Sequence, residues 1–230
     1  MLLLLAIYEK AGASLAATEP ELVRQASRLA AEFDLTYVKD NMGKILRSTR
    51  QGVKRVADIV QNLRGFARLD QAVVDQADIH EALKTAVEML RGRLDRRHIT
   101  IEEHLGDLPL VAGSPAQLNQ VFLNLLVNAM QAIESTDRAD GLIAITTLAN
   151  EGEIVVEVAD NGCGIPDEVL PQIFDPFFTT KDVGDGTGLG LSITHSMVQD
   201  HGGRLEVESI LGVGTRFRVF LPTARSRVPN

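Results

Sequence analysis

Apolar residues recur along this 230-residue chain in two rhythms. From Tyr37 onward, Val38, Met42, Ile45, Thr49, Gly52, Val56, Ile59, Leu63 and Phe66 step by four and three in alternation. A period near 3.5 predicts one long helix over residues 37–70, with its seam in a coiled coil or four-helix bundle. Thr49 and Gly52 leave the middle of that seam loosely specified, and the charges between (Lys44, Arg47, Lys54, Arg55, Asp58) read as a solvated face. Residues 21–33 predict a shorter helix, and the Leu-rich residues 1–11 read as the tail of another.

After Asp70 the texture changes. Residues 78–94 are amphipathic, with Ile79, Leu83, Val87 and Leu90 on one face. Residues 99–103 and 110–112 predict short strands, with His104 just beyond the first. Ser114-Pro115 predicts an N-cap and a proline in the first helical position of a helix running to about Ser135. Residues 143–148 and 153–158 predict a strand pair joined by residues 149–152. A helix from Leu189 to about Asp200 is ended by His201-Gly202-Gly203, and residues 204–209 and 215–221 predict a closing hairpin. A domain boundary is expected near residues 70–77, and the polar end of the chain reads as a mobile tail.

Charge and composition narrow the function classes. With 31 acidic against 23 basic residues the net charge is −8, a poor match for non-specific nucleic-acid binding. One cysteine excludes an internal disulfide framework and a Cys-based zinc cluster, and five scattered histidines argue against a His-rich metal site. The only long apolar run, residues 2–7, falls far short of the roughly 20 residues that span a bilayer. It also lacks the basic start and small-residue cleavage site of a signal peptide. The expected setting is a reducing, cytoplasmic compartment, with membrane contact only through parts absent from this chain.

Candidate chemistry sits in the second rhythm. Gln120, Asn124 and Asn128 are spaced by four and share one helix face, with Gln131 on the same side. Asparagine is a poor helix former, so two on one face ask for a reason. Their amide oxygens are neutral, hard donors that could complete a magnesium shell around phosphates; the alternative is a solvated polar face. Asp160-Asn161-Gly162-Cys163-Gly164-Ile165 follows a strand. Its glycines permit a tight turn and close approach to a flat ligand, and its carboxylate could accept from an exocyclic amino group. Cys163 reads as a small filler.

Residues 184–192, Gly-Asp-Gly-Thr-Gly-Leu-Gly-Leu-Ser, form a glycine loop entering a helix, a geometry that aims backbone N–H groups at phosphate. The spacing is neither that of a P-loop nor that of a dinucleotide fold. Between Asp175 and Leu191 three Asp face one Lys, so backbone amides, a divalent metal and Lys181 would have to hold a polyphosphate there. Phe174, Phe177 and Phe178 precede that loop as a core patch or the anchor of a lid carrying Thr179-Thr180-Lys181. Gly212-Val213-Gly214-Thr215 enters the last strand.

Asn-Leu-Leu-Val-Asn-Ala at 124–129, Asp-x-Gly-x-Gly at 160, Phe-x-Pro-Phe-Phe at 174, Gly-x-Gly-x-Gly at 186 and Gly-x-Gly-Thr at 212 resemble, in order and spacing, the boxes of a sensor histidine kinase. The likeness covers the chain after about residue 78. Residues 37–70, ending Asn62-Leu63-Arg64-Gly65-Phe66-Ala67-Arg68-Leu69-Asp70, resemble the second helix of the dimerisation and phosphotransfer domain of kinases related to nitrogen-regulation sensors.

The resemblance implies an α+β fold: a helical dimerisation segment over residues 1–74, then an α/β-sandwich (Bergerat) ATP-binding domain over 75–224 with a mixed sheet and three helices, then a tail over 225–230. It implies ATP and Mg²⁺ as ligands. Asn128 would coordinate Mg²⁺, with Asn124 on the phosphates; Asn124 and Lys181 would be the catalytic pair. Asp160 would bind the adenine amino group, with Gly162, Gly164, Ile165 and Ala132 shaping the pocket and Thr215 closing it. Thr180 and Lys181 would reach the phosphates. Gly186, Gly188 and Gly190 would supply the lid hinge and phosphate contacts, with Thr187, Leu189 and Leu191 adjacent. Expected partners are a second copy, through residues 1–70, and a response-regulator receiver domain.

One departure matters. The family's nucleophile is a histidine on the first bundle helix, and His80, His98, His104, His195 and His201 all lie elsewhere. The chain reads as a kinase cut just beyond its phosphoacceptor, able to act only on a bundle supplied in trans. Two rivals remain open at this point: an ATPase of the same fold that drives a conformational clamp, and a nucleotide-responsive dimerisation module.

Overall fold

The computed structural model describes residues 15–16, 18–32, 34, 37, 41–46, 48–50, 52–53, 75–136, 138–150, 152–181 and 186–223. The chain divides into two compact units, residues 1–56 and 57–230. The expected tail of a first helix (residues 1–11), most of the boundary near 70–77, the seam from Val56 onward and the polar end of the chain lie outside the described residues.

In the first unit, α1 (Pro20–Glu32) follows the reading of residues 21–33. It buries none of its side chains, and Leu22 and Leu29 are exposed. Residues 41–46 and 48–50 are helical, as the 3.5 period requires, and Ile45, Leu46 and Val53 are likewise exposed.

The second unit is built on a five-stranded mixed sheet in the order β2-β4-β5-β7-β6, where β2 is Thr100–Leu105, β4 Leu142–Asn150, β5 Glu153–Asp160, β6 Arg204–Ile210 and β7 Gly214–Pro222. Only β2 and β4 run parallel. Alternation decides the faces: Ile154, Val156 and Val158 of β5 and Phe217, Val219 and Leu221 of β7 point into the core. The intervening Glu157, Arg216 and Arg218 face solvent and form a cross-strand ladder, with Arg218 Nε 2.8 Å from Glu157 Oε2 and Arg218 Nη1 2.8 Å from Glu208 Oε1.

Three helices cover the apolar face: α2 (Ile79–Arg96), α3 (Pro115–Glu134) and α4 (Gly190–Asp200). Together with the sheet they form the expected α+β sandwich. The middle helix, α3, packs on both α2 and α4 and under β5. It buries Leu118, Val121, Phe122, Leu125, Leu126, Ala129, Met130 and Ile133. That stripe is too wide for a surface helix and suits the centre of a layer.

Several local expectations need correction. Ser114 occupies the N-cap of α3, but its side chain makes no capping bond. Its N–H instead donates to Nε2 of the buried His201 at 3.1 Å, and His201 Nδ1 donates to the Met197 carbonyl at 2.7 Å. A residue at the far end of α4 thus holds the start of α3. His104 lies within β2 rather than after it, because the strand continues to Leu105 in register with β4. Residues 75–77 form β1 (Asp75–Ala77), which pairs antiparallel with β3 (Val111–Gly113). Three residues are too few for a periodicity to reveal them.

Candidate functional site

The polar face of α3 is where three loops converge. At its C-terminal end, Cys163 N–H donates to the Ala132 carbonyl at 3.1 Å, and a β-carbon on Gly162 would stand 2.5 Å from the Ala132 carbonyl carbon. At the preceding residue, Lys181 Nζ donates to Gln131 Oε1. Two further turns back, Asn124 Nδ2 donates to the Gly190 carbonyl at 3.3 Å and to Thr194 Oγ1 at 3.2 Å. The candidate residues of α3, the Asp160 turn, the lid and the head of α4 are therefore brought together on one helix.

Asp160 ends β5 beside β7, opposite Thr215. Its Oδ1 accepts from Gly162 N–H at 2.8 Å. Burial pushes its carboxyl up to about 6, against the pull of the Gly162 and Thr215 backbone N–H groups. Desolvation dominates because the loop carries no cation to compensate. Such a carboxylate is a strong acceptor held in a partly dry cleft, suited to an amino group that brings its own proton.

The turn is clamped from the other side by the β6–β7 hairpin. Gly164 takes a φ of +71°, and a β-carbon there would lie 2.2 Å from the Ile210 carbonyl oxygen. Gly212 N–H donates to the Cys163 carbonyl at 2.7 Å. Ser209 Oγ accepts from Ile165 N–H at 2.8 Å and contacts Gly214 O at 3.0 Å and the buried Thr215 Oγ1 at 2.9 Å. Ser209 is a site-building residue that sequence reading missed, since on its own strand it is one polar residue among alternating ones. Cys163 is half-buried with Sγ 3.4 Å from the Gly164 carbonyl, in keeping with a filler.

At the opposite end, α4 begins at Gly190, and the first helical N–H to bond back is that of Ile193, to Leu189 O at 3.0 Å. The N–H groups of residues 190–192 thus have no partner within the helix, the situation that favours an anion. Leu189 N–H reaches Thr187 Oγ1 at 3.4 Å. Leu189 is buried and Leu191 half-buried on the core, so both set the helix position. Gly188 takes φ +65° and its carbonyl accepts from Phe177 N–H at 2.9 Å; Phe177 itself has φ +70° and is 72% exposed. The three phenylalanines therefore divide. Phe174 and Phe178 pack on the core, with Phe174 stacked 5.0 Å from the His195 ring, while Phe177 projects outward. Gly186 lies against Thr179 and Lys181. Residues 182–185 of the glycine loop are outside the described residues.

Other candidates are less engaged. Asn128 is half-buried and makes no side-chain hydrogen bond among the described residues, and Thr180 is exposed. Asn124 Oδ1 accepts from Gln120 Nε2 at 2.8 Å. No group of three or more His, Cys, Asp or Glu that could hold a metal occurs among the described residues. The neutral amide oxygens that Asn124 and Asn128 present on α3 suit a hard, well-hydrated ion. No described helix is long and apolar enough to cross a membrane.

Comparison with known proteins agrees with this geometry. Residues 113–225 match the family of histidine kinase-, DNA gyrase B- and HSP90-like ATPases. The chain is 36% identical to the sensory histidine kinase/phosphatase NtrB of Rhizobium meliloti, over 93% of this chain and 58% of that protein. It is 37% identical to the sensor kinase CckA of Brucella abortus, over 77% of this chain and 20% of that protein. The chain thus spans less than two thirds of the length of either relative. Among solved structures, the catalytic domain of the histidine kinase ThkA superposes with a TM-score of 0.57 at 28% identity, covering 65% of this chain and 97% of that one. Full-length ShkA in complex with AMPPNP superposes with a TM-score of 0.65 at 27% identity, covering 81% of this chain and 39% of that one. The chain therefore carries, over residues 113–225, an ATP-binding domain of the histidine kinase-, DNA gyrase B- and HSP90-like ATPase family, in the form that sensor histidine kinases of two-component systems use as their catalytic domain.

Proposed function

We propose that this chain binds ATP with Mg²⁺ and transfers the terminal phosphoryl group to a histidine of a bundle helix, for relay to an aspartate of a response-regulator receiver domain. The observation that carries the reading is the pairing of two features across α3: a half-buried carboxylate, Asp160, at one end and the unpaired N–H groups of α4 at the other. An adenine amino group would donate to Asp160, with Gly162, Gly164, Ile165, Ala132 and Thr215 shaping that end of the cleft. The phosphates would meet the N–H groups of residues 190–192, with Lys181 and Thr180 arriving from the lid and the hinge glycines Gly186 and Gly188 turning it.

The donor set fits Mg²⁺: Asn128 would hold it through its free amide oxygen, with Asn124 one turn away. When bound, the ion neutralises phosphate charge that this acidic loop cannot. The protein's own part is positioning. Asp160 fixes the base, α4 fixes the phosphates, and Asn124 and Lys181 orient the transferring group, so that transfer becomes a matter of geometry and charge. The likeness to ShkA, solved with AMPPNP, supports the nucleotide.

We further assign residues 1–74 to the dimerisation bundle, 75–224 to the catalytic domain and 225–230 to a tail. The exposed Leu22, Leu29, Ile45, Leu46 and Val53 support pairing with a second copy. A single free thiol fits a reducing, cytoplasmic setting. The test is calorimetric titration of ATP into the wild-type chain and into Asp160→Asn, followed by radiolabel transfer from ATP to a His-bearing bundle. Loss of binding in the variant and label on histidine are expected. Unchanged affinity would overturn the adenine assignment, and sustained ATP hydrolysis without transfer would favour a clamp ATPase.

A further inference from the structure

We propose that Thr194 and Gln120 are positioning residues of this site, which act through Asn124 by fixing its amide oxygen toward the cation that accompanies the phosphates. The inference rests on the nucleotide reading above and concerns two residues to which that reading gives no role.

The hydrogen bonds around Asn124 leave its amide one orientation. Thr194, fully buried in α4, donates its only hydroxyl proton to the Gly190 carbonyl at 2.8 Å. Its oxygen can then only accept from Asn124, and the Gly190 carbonyl can only accept as well. Two acceptors thus meet the same end of the Asn124 side chain, at 3.2 and 3.3 Å, and only the nitrogen satisfies both. The oxygen is turned away, along the face of α3 that also carries Asn128. There Gln120 Nε2 donates to it at 2.8 Å, which uses one of its two lone pairs and leaves the second. A rotated amide would set oxygen against two acceptors, one of them the buried Thr194 hydroxyl, which disfavours it by roughly tenfold.

The same bonds join the first turn of α4, with its unpaired N–H groups, to the helix that bears both asparagines. The cation-facing oxygen and the phosphate-facing amides are therefore referenced to one another. Neither partner was visible as such in sequence. In sequence, Gln120 reads as one more residue of a polar face. Thr194 sits among the buried Ile193, Met197 and Val198, and a buried threonine on an apolar stripe was the only available signal.

The experiment compares Thr194→Val, which keeps the shape and removes the hydroxyl, with Thr194→Ser, which keeps the hydroxyl and removes a buried methyl. Calorimetry would give the affinities of each for ATP with Mg²⁺, for ATP with EDTA, and for adenosine. In Thr194→Val, affinity for ATP with Mg²⁺ should fall about tenfold, with adenosine affinity within about twofold of wild type. Thr194→Ser should restore Mg²⁺-dependent affinity even though its melting temperature is lower. In an Asn124→Ala background, Thr194→Val should have no further effect. Parallel loss of adenosine and ATP affinity, a serine variant as poor as valine, an effect that persists without Asn124, or a valine variant equal to wild type would each overturn the proposal. Absence of binding of either ligand by the wild-type chain would instead overturn the nucleotide reading on which it stands.

Discussion

Gly214 lies so close to Asp160 that a β-carbon on it would stand 2.0 Å from the Asp160 carbonyl oxygen. The last box of the sequence is therefore more than a hairpin turn. It is the place where β7 passes against the end of β5, with Gly214 at φ +149° and Thr215 in register with Asp160. Gly214→Ala should destabilise the domain by about 1–3 kcal/mol and weaken adenosine binding at the same time. Urea denaturation and calorimetry on one preparation would check both; a variant normal in each would mean the contact is slack.

Gly188 and Gly190 should behave differently from one another. A β-carbon on Gly188 would meet the Phe177 carbonyl carbon at 2.3 Å, at a φ of +65°, whereas one on Gly190 meets nothing within 4 Å. Gly188→Ala should cost about 1–3 kcal/mol, while Gly190→Ala should be neutral or stabilising by a few tenths of a kcal/mol. Thermal melts of the two variants would separate them, and equal losses would show that the Phe177 contact does not set the cost.

Asp160 couples function to stability through its charge. Its carboxyl titrates near 6 rather than 3.8, so the folded state favours the protonated form. Stability from this group is full below about pH 4 and is lost as pH rises through about 6. Asp160→Asn should therefore stabilise the ligand-free domain at pH 7, by about 1–3 kcal/mol, while abolishing nucleotide affinity. Adenosine affinity of the wild type should run the other way and fall as pH drops below about 6, because the acceptor must be ionised. A pH series of melts and titrations tests the pair of opposite slopes.

His201 and Ser114 invert the usual weighting of a helix start. A capping serine is typically worth about 1 kcal/mol. Ser114 makes no side-chain cap, so Ser114→Ala should cost less than about 0.5 kcal/mol. His201→Ala removes both the acceptor for Ser114 N–H and the donor to Met197 O inside the core, and should cost about 2–4 kcal/mol. Chemical denaturation of both variants would settle the order, and a costlier serine variant would refute it.

Much of the site was legible because its residues break local rules. Asn124 and Asn128 sit in a helix interior where asparagine is unfavourable, and Gly162, Gly164, Gly188 and Gly214 stand where the backbone must approach another chain segment closely. Such positions carry a sequence signature because no other residue type serves. Ser209 carries none, and Gln131 only its place on the polar side of α3. Each is an ordinary polar residue on its own element, and becomes part of the site only because β6 lies beside the Asp160 turn and the lid returns over α3. His201 reads in sequence as part of a helix stop, and its partner 87 residues away leaves no local signal.

Periodicity along the chain was enough to establish the three helices of the second unit, its alternating strands and the order of the boxes, since each follows from residues only a few positions apart. Contacts between distant segments decided the rest: which end of the Asn124 amide faces the site, why Gly214 must be glycine, and what holds the start of α3. These depend on which carbonyl or ring comes to lie opposite once the sheet and helices have packed, and a one-dimensional pattern holds no record of that.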